Sequence, residues 1–294
     1  MKIAIVGVGG VGGYIGAKLS KVTKVDLITQ NPQNLKDGIV LIEDGKKSFY
    51  KNFSTYQTPP KDIVYDCVIF AVKSYVLKEA VKNIENNVSK HTIILPLLNG
   101  IEPYEILKNS FKDSNVAKGA IYIISNKTGK NEITLKGKGA YIVFGKDYEV
   151  NSLLWLKDLF EKSDIKTKLT KQIDKEIWKK YLFIAATSAL TSYYKATFGE
   201  IGKNHLKEYE TLLDEIIQIA NEKGVSLEQD DKKRAIELLL KSPPNSKTSM
   251  QLDFENKTKT EIDNILGYLV KLHINEKNSK IKKIYTELKP QNQI

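Results

Sequence analysis

Hydrophobic positions in the first half of the chain fall into short β-rich runs: Lys2 to Val6, Val25 to Thr29, Cys67 to Val72, Thr92 to Leu98 and Val116 to Ser125. Each predicts a strand. Between them, Val11 to Ser20 and Val76 to Ile84 carry helical spacing. Such alternation implies a parallel sheet covered by helices. Glu132 to Leu135 and Ala140 to Phe144, joined by Lys136-Gly137-Lys138-Gly139, predict an antiparallel hairpin that closes this sheet. A helix over about Asn151 to Glu161 then leads into a short run, Ile165 to Thr170.

After Thr170 the pattern changes to long helical periodicity with almost no strand signal, over Gln172 to Tyr194, Leu206 to Lys223, Gln229 to Leu240 and Glu261 to His273. The expected organisation is therefore an α/β domain over 1–168 and an all-helical domain over 169–294. Pro243-Pro244-Asn245 interrupts the helical region, and two helix starts after it are readable. Thr248 with Gln251 fits a capping box, and Thr260 with Asp263 fits the same pattern with Asp in place of Glu.

Length and composition agree with two domains: the chain has 294 residues, 41% of them hydrophobic, more than one usual core needs. The apolar start Met1-Lys2-Ile3-Ala4-Ile5-Val6 breaks at once into glycines, which predicts no signal peptide. No window approaches the roughly 18 to 20 apolar residues that span a bilayer, so a soluble protein with no membrane partner is expected. Cys67 stands alone in an apolar run, which excludes an internal disulfide and fits a reducing cytoplasm. His91, His205 and His273 show no ligand spacing, so no metal is expected. The formal charge of +11 is the excess of 46 basic residues over 35 acidic ones, and Arg234 is the one arginine. Lysines scattered beside Asp and Glu suit a solvated surface better than base readout, so no nucleic-acid partner is expected. Oligomeric state is not written in the chain, and a homodimer is left open.

The first candidate site is Gly7-Val8-Gly9-Gly10-Val11-Gly12-Gly13, a GxGxxG directly after one strand and before an apolar-periodic helix. In that context Gly7 allows the tight turn, Gly9 lets backbone approach a pyrophosphate and Gly12 lets helix meet strand. Free N–H groups at the helix start receive the phosphate charge. Gly7, Val8, Gly9, Gly10, Val11 and Gly12 are thus expected to hold a dinucleotide. An NAD enzyme usually places a carboxylate at the end of the second strand, where this chain reads Thr29-Gln30-Asn31. These three can donate to a 2′-phosphate, which favours NADP. Asp26 lies inside the strand.

The strand ends Lys73-Ser74 and Asn99-Gly100 should also border the cofactor, since ligands of open parallel sheets bind beyond the carboxyl ends of strands. Asn99-Gly100 can equally be a simple turn. In the second domain Lys180, Thr187, Ser188 and Thr191 are spaced to share one helical face. Flanked by apolar Tyr181 to Ala186, this polar stripe is expected to face a cavity. Lys180 could also be a solvated lysine or pair with Glu176 four residues earlier.

Together the N-terminal GxGxxG, Ala71-Val72-Lys73, Leu98-Asn99-Gly100, Glu176-Ile177-Trp178-Lys179-Lys180, Thr248-Ser249-Met250-Gln251-Leu252-Asp253 and Thr260-Glu261-Ile262-Asp263 resemble the ketopantoate reductase (2-dehydropantoate 2-reductase) family over nearly the whole chain. The resemblance implies an N-terminal Rossmann domain, a helical C-terminal domain, an active site in the cleft between them, and NADPH as reductant. It implies that Lys180 donates the proton, that Glu261 holds the substrate hydroxyl and that Ser249 binds the substrate carboxylate. Asn99 would lie beside nicotinamide and substrate, and Lys73 would border the cofactor. An ammonium suits the first of these roles because it both stabilises and protonates the alkoxide that forms at a ketone.

Two departures bear on the substrate. The family often carries asparagines one and two turns after the catalytic lysine, where this chain has Ile184 and Ser188, and Ser246 replaces another asparagine upstream of Ser249. The expected reaction is reduction of a branched 2-keto acid, ketopantoate to pantoate by preference, on the route to pantothenate and coenzyme A. Reduction of another 2-keto acid, or a non-catalytic NADP-binding sensor of the same fold, are the alternatives.

Overall fold

The computed structural model describes residues 1–273 and 279–292, without the Lys138 side chain. Residues 274–278 and 293–294 of the expected second domain lie outside the described residues. By contact the chain divides into two compact units: Met1–Leu98 with Pro103–Ile173, and Asn99–Glu102 with Asp174–Ile294.

The first unit opens with β1 (Ile3–Val6), α1 (Gly10–Leu19) and β2 (Val25–Ile28), then β3 (Ile39–Glu43), β4 (Lys46–Tyr50) and β5 (Phe53–Tyr56). It continues through β6 (Cys67–Phe70), α2 (Leu77–Ile84), β7 (Ile93–Pro96), α3 (Glu102–Ser110), β8 (Asn115–Val116), β9 (Lys118–Lys127), β10 (Glu132–Gly145), α4 (Leu154–Lys162) and β11 (Lys166–Thr170). Six strands form a parallel sheet in the order β5-β2-β1-β6-β7-β8. The central strands are apolar throughout because both faces are covered. Ile3 and Ile5 enter one core with Leu27 and Ile15, while Ala4 and Val6 enter the other with Phe70 and Leu77. Cys67 is fully buried in the sheet, and burial pushes its thiol pKa up.

The expected hairpin at 136–139 is corrected by the structure. Lys136 to Gly139 interrupts a single strand, β10, which pairs antiparallel with β9 from Lys127 opposite Ile133 to Lys118 opposite Gly145. Register shifts between Lys136 and Tyr141, and Gly137 and Gly139 take φ +86 and +96 there. Glycines at positive φ allow extra residues to bulge out without ending the ladder. Nor does this hairpin close the parallel sheet: β10 builds a separate mixed sheet, flanked by β3, β11 and β9, with β4 outermost.

The second unit is helical: α5 (Ile173–Tyr194), whose first residue falls in the first unit, α6 (Phe198–Asn204), α7 (Leu206–Glu222), α8 (Gln229–Lys241), α9 (Ser249–Glu255), a π-helical segment Asp263–Gly267 continued by α10 (Tyr268–Leu272), and α11 (Lys280–Leu288). Trp178, Leu182, Ala185, Ala186, Ala189 and Leu190 of α5 are buried in one core with α7 residues Leu212, Leu213 and Ile216. A helix apolar on most sides must be central to its unit. No helix among the described residues is long and apolar enough to cross a membrane.

The carboxyl end of α5 is pinned by Glu208 of α7, which accepts from Tyr194 at 2.8 and 2.9 Å, lies 3.1 Å from His205 Nδ1, and pairs with Lys280 of α11. Burial would raise the Glu208 pKa, but the bonds from Lys280, Tyr194 and His205 outweigh it and hold the carboxyl near 2, below its usual 4.5. Stability from this group is therefore present above pH 4.5 and lost as pH falls towards 2. Glu208→Gln should cost about 1 to 2 kcal/mol at pH 7. Urea melts at pH 7, 4 and 3 should show the difference from wild type narrowing with acid.

Candidate active site

The register of the parallel sheet sets the candidate dinucleotide site of the first unit. Val6 pairs with Ile28 on one side and Phe70 on the other, so Gly7, Thr29 and Ala71 follow side by side at one edge. Gly7 has φ +95, and a Cβ there would lie 2.6 Å from Val72 Cγ1. A Cβ on Gly12 would lie 1.9 Å from the Gly7 carbonyl oxygen, and one on Gly10 would lie 2.2 Å from that of Ser125. Space beside Gly9 is open, with nothing within 4 Å of its ideal Cβ. The turn is thus closed where helix meets strand and open at the residue expected to face a pyrophosphate. Helix α1 follows with no acidic residue in its first turn and no side-chain cap, so its leading N–H groups are not spent on a carboxylate. These features fit a dinucleotide.

Past β2, Thr29 is partly buried and its N–H donates to Tyr56 O at 2.9 Å, while Gln30 and Asn31 are exposed. None of these three residues carries a carboxylate. Asp26 lies two residues inside β2, opposite Ala4, and accepts from Tyr65 Oη at 3.0 Å. Lys73 is partly buried, in extended backbone just ahead of the turn Ser74–Val76.

A second cluster of candidate residues lies within the helical unit. Lys180 Nζ on α5 donates to Asn99 Oδ1 at 3.0 Å. An ammonium can only donate, so the Asn99 amide must turn its oxygen to Lys180, which leaves Nδ2 facing elsewhere as a donor. The Asn99 carbonyl accepts from Asn264 Nδ2 at 2.7 Å, and Gly100 turns the chain at φ +91. Glu261 is buried just ahead of the π-helical segment, and its carbonyl accepts from the N–H groups of Asn264 and Ile265. Removal from water pulls the Lys180 pKa down from 10.5 to about 8, and the negative charge of Glu261 opposes this. The amine is thereby poised to exchange a proton near neutral pH.

Other expectations fare differently. Ser188 is buried on α5 two turns beyond Lys180. The stripe expected to face a cavity is largely spent on packing: Thr187 Oγ1 lies 3.2 Å from Tyr209 Oη, and Thr191 Oγ1 lies 3.0 Å from Thr248 Oγ1. Ser249 is exposed at the first position of α9, and Thr248 caps that helix by accepting from the Gln251 N–H at 3.2 Å. The capping box at Thr260 does not form. Thr260 Oγ1 accepts from Ile262 N instead, and Asp263 accepts from Tyr285 Oη at 2.5 Å. Sequence reasoning missed Asn264, whose one visible signal is its place three residues after Glu261.

The sequence matches the family described as Ketopantoate reductase PanE/ApbA over residues 3–147, and the C-terminal domain of that family over residues 172–277. The chain belongs to the ketopantoate reductase family. Among curated relatives, the uncharacterized oxidoreductase YkpB of Bacillus subtilis (strain 168) is 30% identical over 210 residues, 70% of this chain and 69% of that one. The 2-dehydropantoate 2-reductase of Aquifex aeolicus (strain VF5) is 26% identical over 285 residues, 92% of this chain and 90% of that one. A solved structure of D-mandelate dehydrogenase with NADH and anilino(oxo)acetate shares the fold at a TM-score of 0.90, with 21% identity over 99% of this chain and 98% of that one. The family is one of oxidoreductases on a nicotinamide-dependent dehydrogenase fold.

Holding a lysine where its charge is disfavoured costs stability at every pH at which it is charged. The unfolded chain binds the extra proton between about pH 8 and 10.5, so wild-type stability rises across that window. Lys180→Met should stabilise the protein at pH 7, by up to about 3 kcal/mol, less whatever the orphaned Asn99 oxygen costs. Denaturant melts of both proteins at pH 7 and pH 10 check this, with the gap closing at the higher pH.

Proposed function

We propose that the protein reduces a branched 2-keto acid with NADPH, ketopantoate to pantoate by preference, on the route to pantothenate and coenzyme A in the cytoplasm. The observation that carries this reading is the Lys180 ammonium, bonded to Asn99 and depressed to a pKa of about 8. Bound NADPH supplies the hydride. Lys180 meets the charge that develops on the substrate oxygen and delivers a proton to it. Asn99, accepting from Lys180 through Oδ1, offers its Nδ2 as a donor to the reacting groups. Buried Glu261 favours the charged amine and binds the substrate hydroxyl. Ser249, exposed at the start of α9, receives the substrate carboxylate, with Ser188 lining the substrate side. The GxGxxG turn holds the pyrophosphate. Thr29, Gln30 and Asn31 bind the 2′-phosphate, and Lys73 borders the cofactor. NADPH over NADH is supported by the missing carboxylate after β2 and by the engagement of Asp26 with Tyr65.

A second reading, reduction of a different 2-keto acid, is favoured by one observation. Ile184, one turn beyond Lys180, packs against the apolar core of its unit and offers a substrate no hydrogen bond.

Turnover of a panel of 2-keto acids with NADPH and with NADH tests these readings together. Fastest reduction of ketopantoate with NADPH is expected, and faster turnover of another acid selects the second reading. Lys180→Ala should lower kcat by about 10²- to 10⁴-fold with little change in NADPH affinity. Reduction needs the ammonium, so kcat should fall as pH rises past about 8, while oxidation of the hydroxy acid should rise over the same range.

A further inference from the structure

Asn264 is 4% exposed in the π-helical segment, and its Nδ2 donates to the Asn99 carbonyl across 165 residues of sequence. A carbonyl can only accept, so the amide orientation is fixed with nitrogen towards Asn99. The other atom, Asn264 Oδ1, is buried with no hydrogen-bond partner. Leucine would fill the same space without an orphaned acceptor, so packing alone does not account for an amide here. What the amide gains is its hold on the backbone of residue 99.

Three further observations converge on that hold. A Cβ on Gly100 would lie 2.6 Å from Asn264 Nδ2, so the chain is bare of a side chain where the amide closes on it. The carrier of Asn264 is itself fixed: Tyr181 Oη donates to Ile265 O at 2.8 Å and reaches Asn264 O at 3.4 Å. A side chain engaging carbonyls in this way accommodates a π turn, a feature frequent at functional sites. Tyr181 is also the residue next to Lys180. The contacts therefore close a ring from Lys180 to Asn99, to Asn264, to Tyr181 and back along α5.

We propose that Asn264 is a positioning residue for the proton donor, fixing the main chain of Asn99 so that its side-chain oxygen stays on the Lys180 amine. The inference rests on the reading of Lys180 as the acid of a keto-acid reduction. Asn99 favours the charged amine by accepting from it, as Glu261 does by its charge. Loosening Asn99 should therefore leave a weaker acid-holding site and move the loss of activity to lower pH.

Asn264→Leu and Asn264→Ser test this, the serine serving if the leucine protein does not fold. Expected are a kcat lower by about 10- to 100-fold, an unchanged KM for NADPH, and an alkaline limb of the pH profile displaced to lower pH. Wild-type kcat and limb in both variants, or a lower melting temperature with the limb in place, would overturn the proposal. Lys180 reactivity towards acetic anhydride, followed from pH 6 to 10 and read at the Lys180 peptide by mass spectrometry, gives the same answer without turnover. A midpoint displaced downward in the variants supports the role of Asn264, and an unmoved midpoint rejects it. If wild type reduces no keto acid, the functional reading fails while the labelling still decides on Asn264.

Discussion

The desolvated ammonium of Lys180 is the constraint around which the helical unit is arranged. Removing a cation from water is costly, and a protein retains one only where neighbours return part of that cost. Here the return is partial: an amide oxygen at 3.0 Å and the field of a buried carboxylate leave the pKa near 8 rather than restoring 10.5. A fully compensated lysine would hold its proton too firmly to give it up at neutral pH. The imbalance is what the proposed role of Lys180 needs, and it comes from seating the residue on α5, the central packing helix of its unit.

The glycine-rich turn solves a different problem, that of excluded volume. Gly7, Gly10 and Gly12 are each pressed by backbone or side-chain atoms at distances no Cβ could tolerate, whereas Gly9 faces open space. Gly7, Gly10 and Gly12 are thus held to glycine by the protein's own packing, and Gly9 is not. This separates the positions that packing holds to glycine from the one it leaves open, a distinction the letters GxGxxG do not carry.

Much of this was legible in the chain. The buried strands of the parallel sheet announced themselves as apolar runs, and α5, α7 and α8 by long periodicity, because burial on a regular element leaves a regular trace. Strands β3 to β5 went unread: β4 is a lysine-bearing outer strand with mostly exposed positions, and such a strand is specified by its partner more than by its own pattern. Lys136 to Gly139 carried turn chemistry, but whether glycines turn a chain or bulge it depends on the strand alongside. At the candidate site, Lys180 and Asn99 could be nominated separately, yet their meeting across 81 residues could not be derived from spacing. Asn264 went unnominated for the same reason, since its nearness to Glu261 in the chain is a weak signal and a lone asparagine in a helical stretch has no periodic signature.

Four residues, Asn99 to Glu102, belong by contact to the helical unit although the chain on either side of them builds the α/β unit. The chain therefore enters the helical unit and leaves it again before the α/β unit is complete. A gene fragment encoding only 174–294 would lack the amide that meets the Lys180 amine, and a fragment ending at 173 would carry that amide with nothing to receive it. Recombination between relatives at residue 173 would join a loop from one parent to a helix from the other, so the Lys180–Asn99 contact is inherited whole only with the uninterrupted chain.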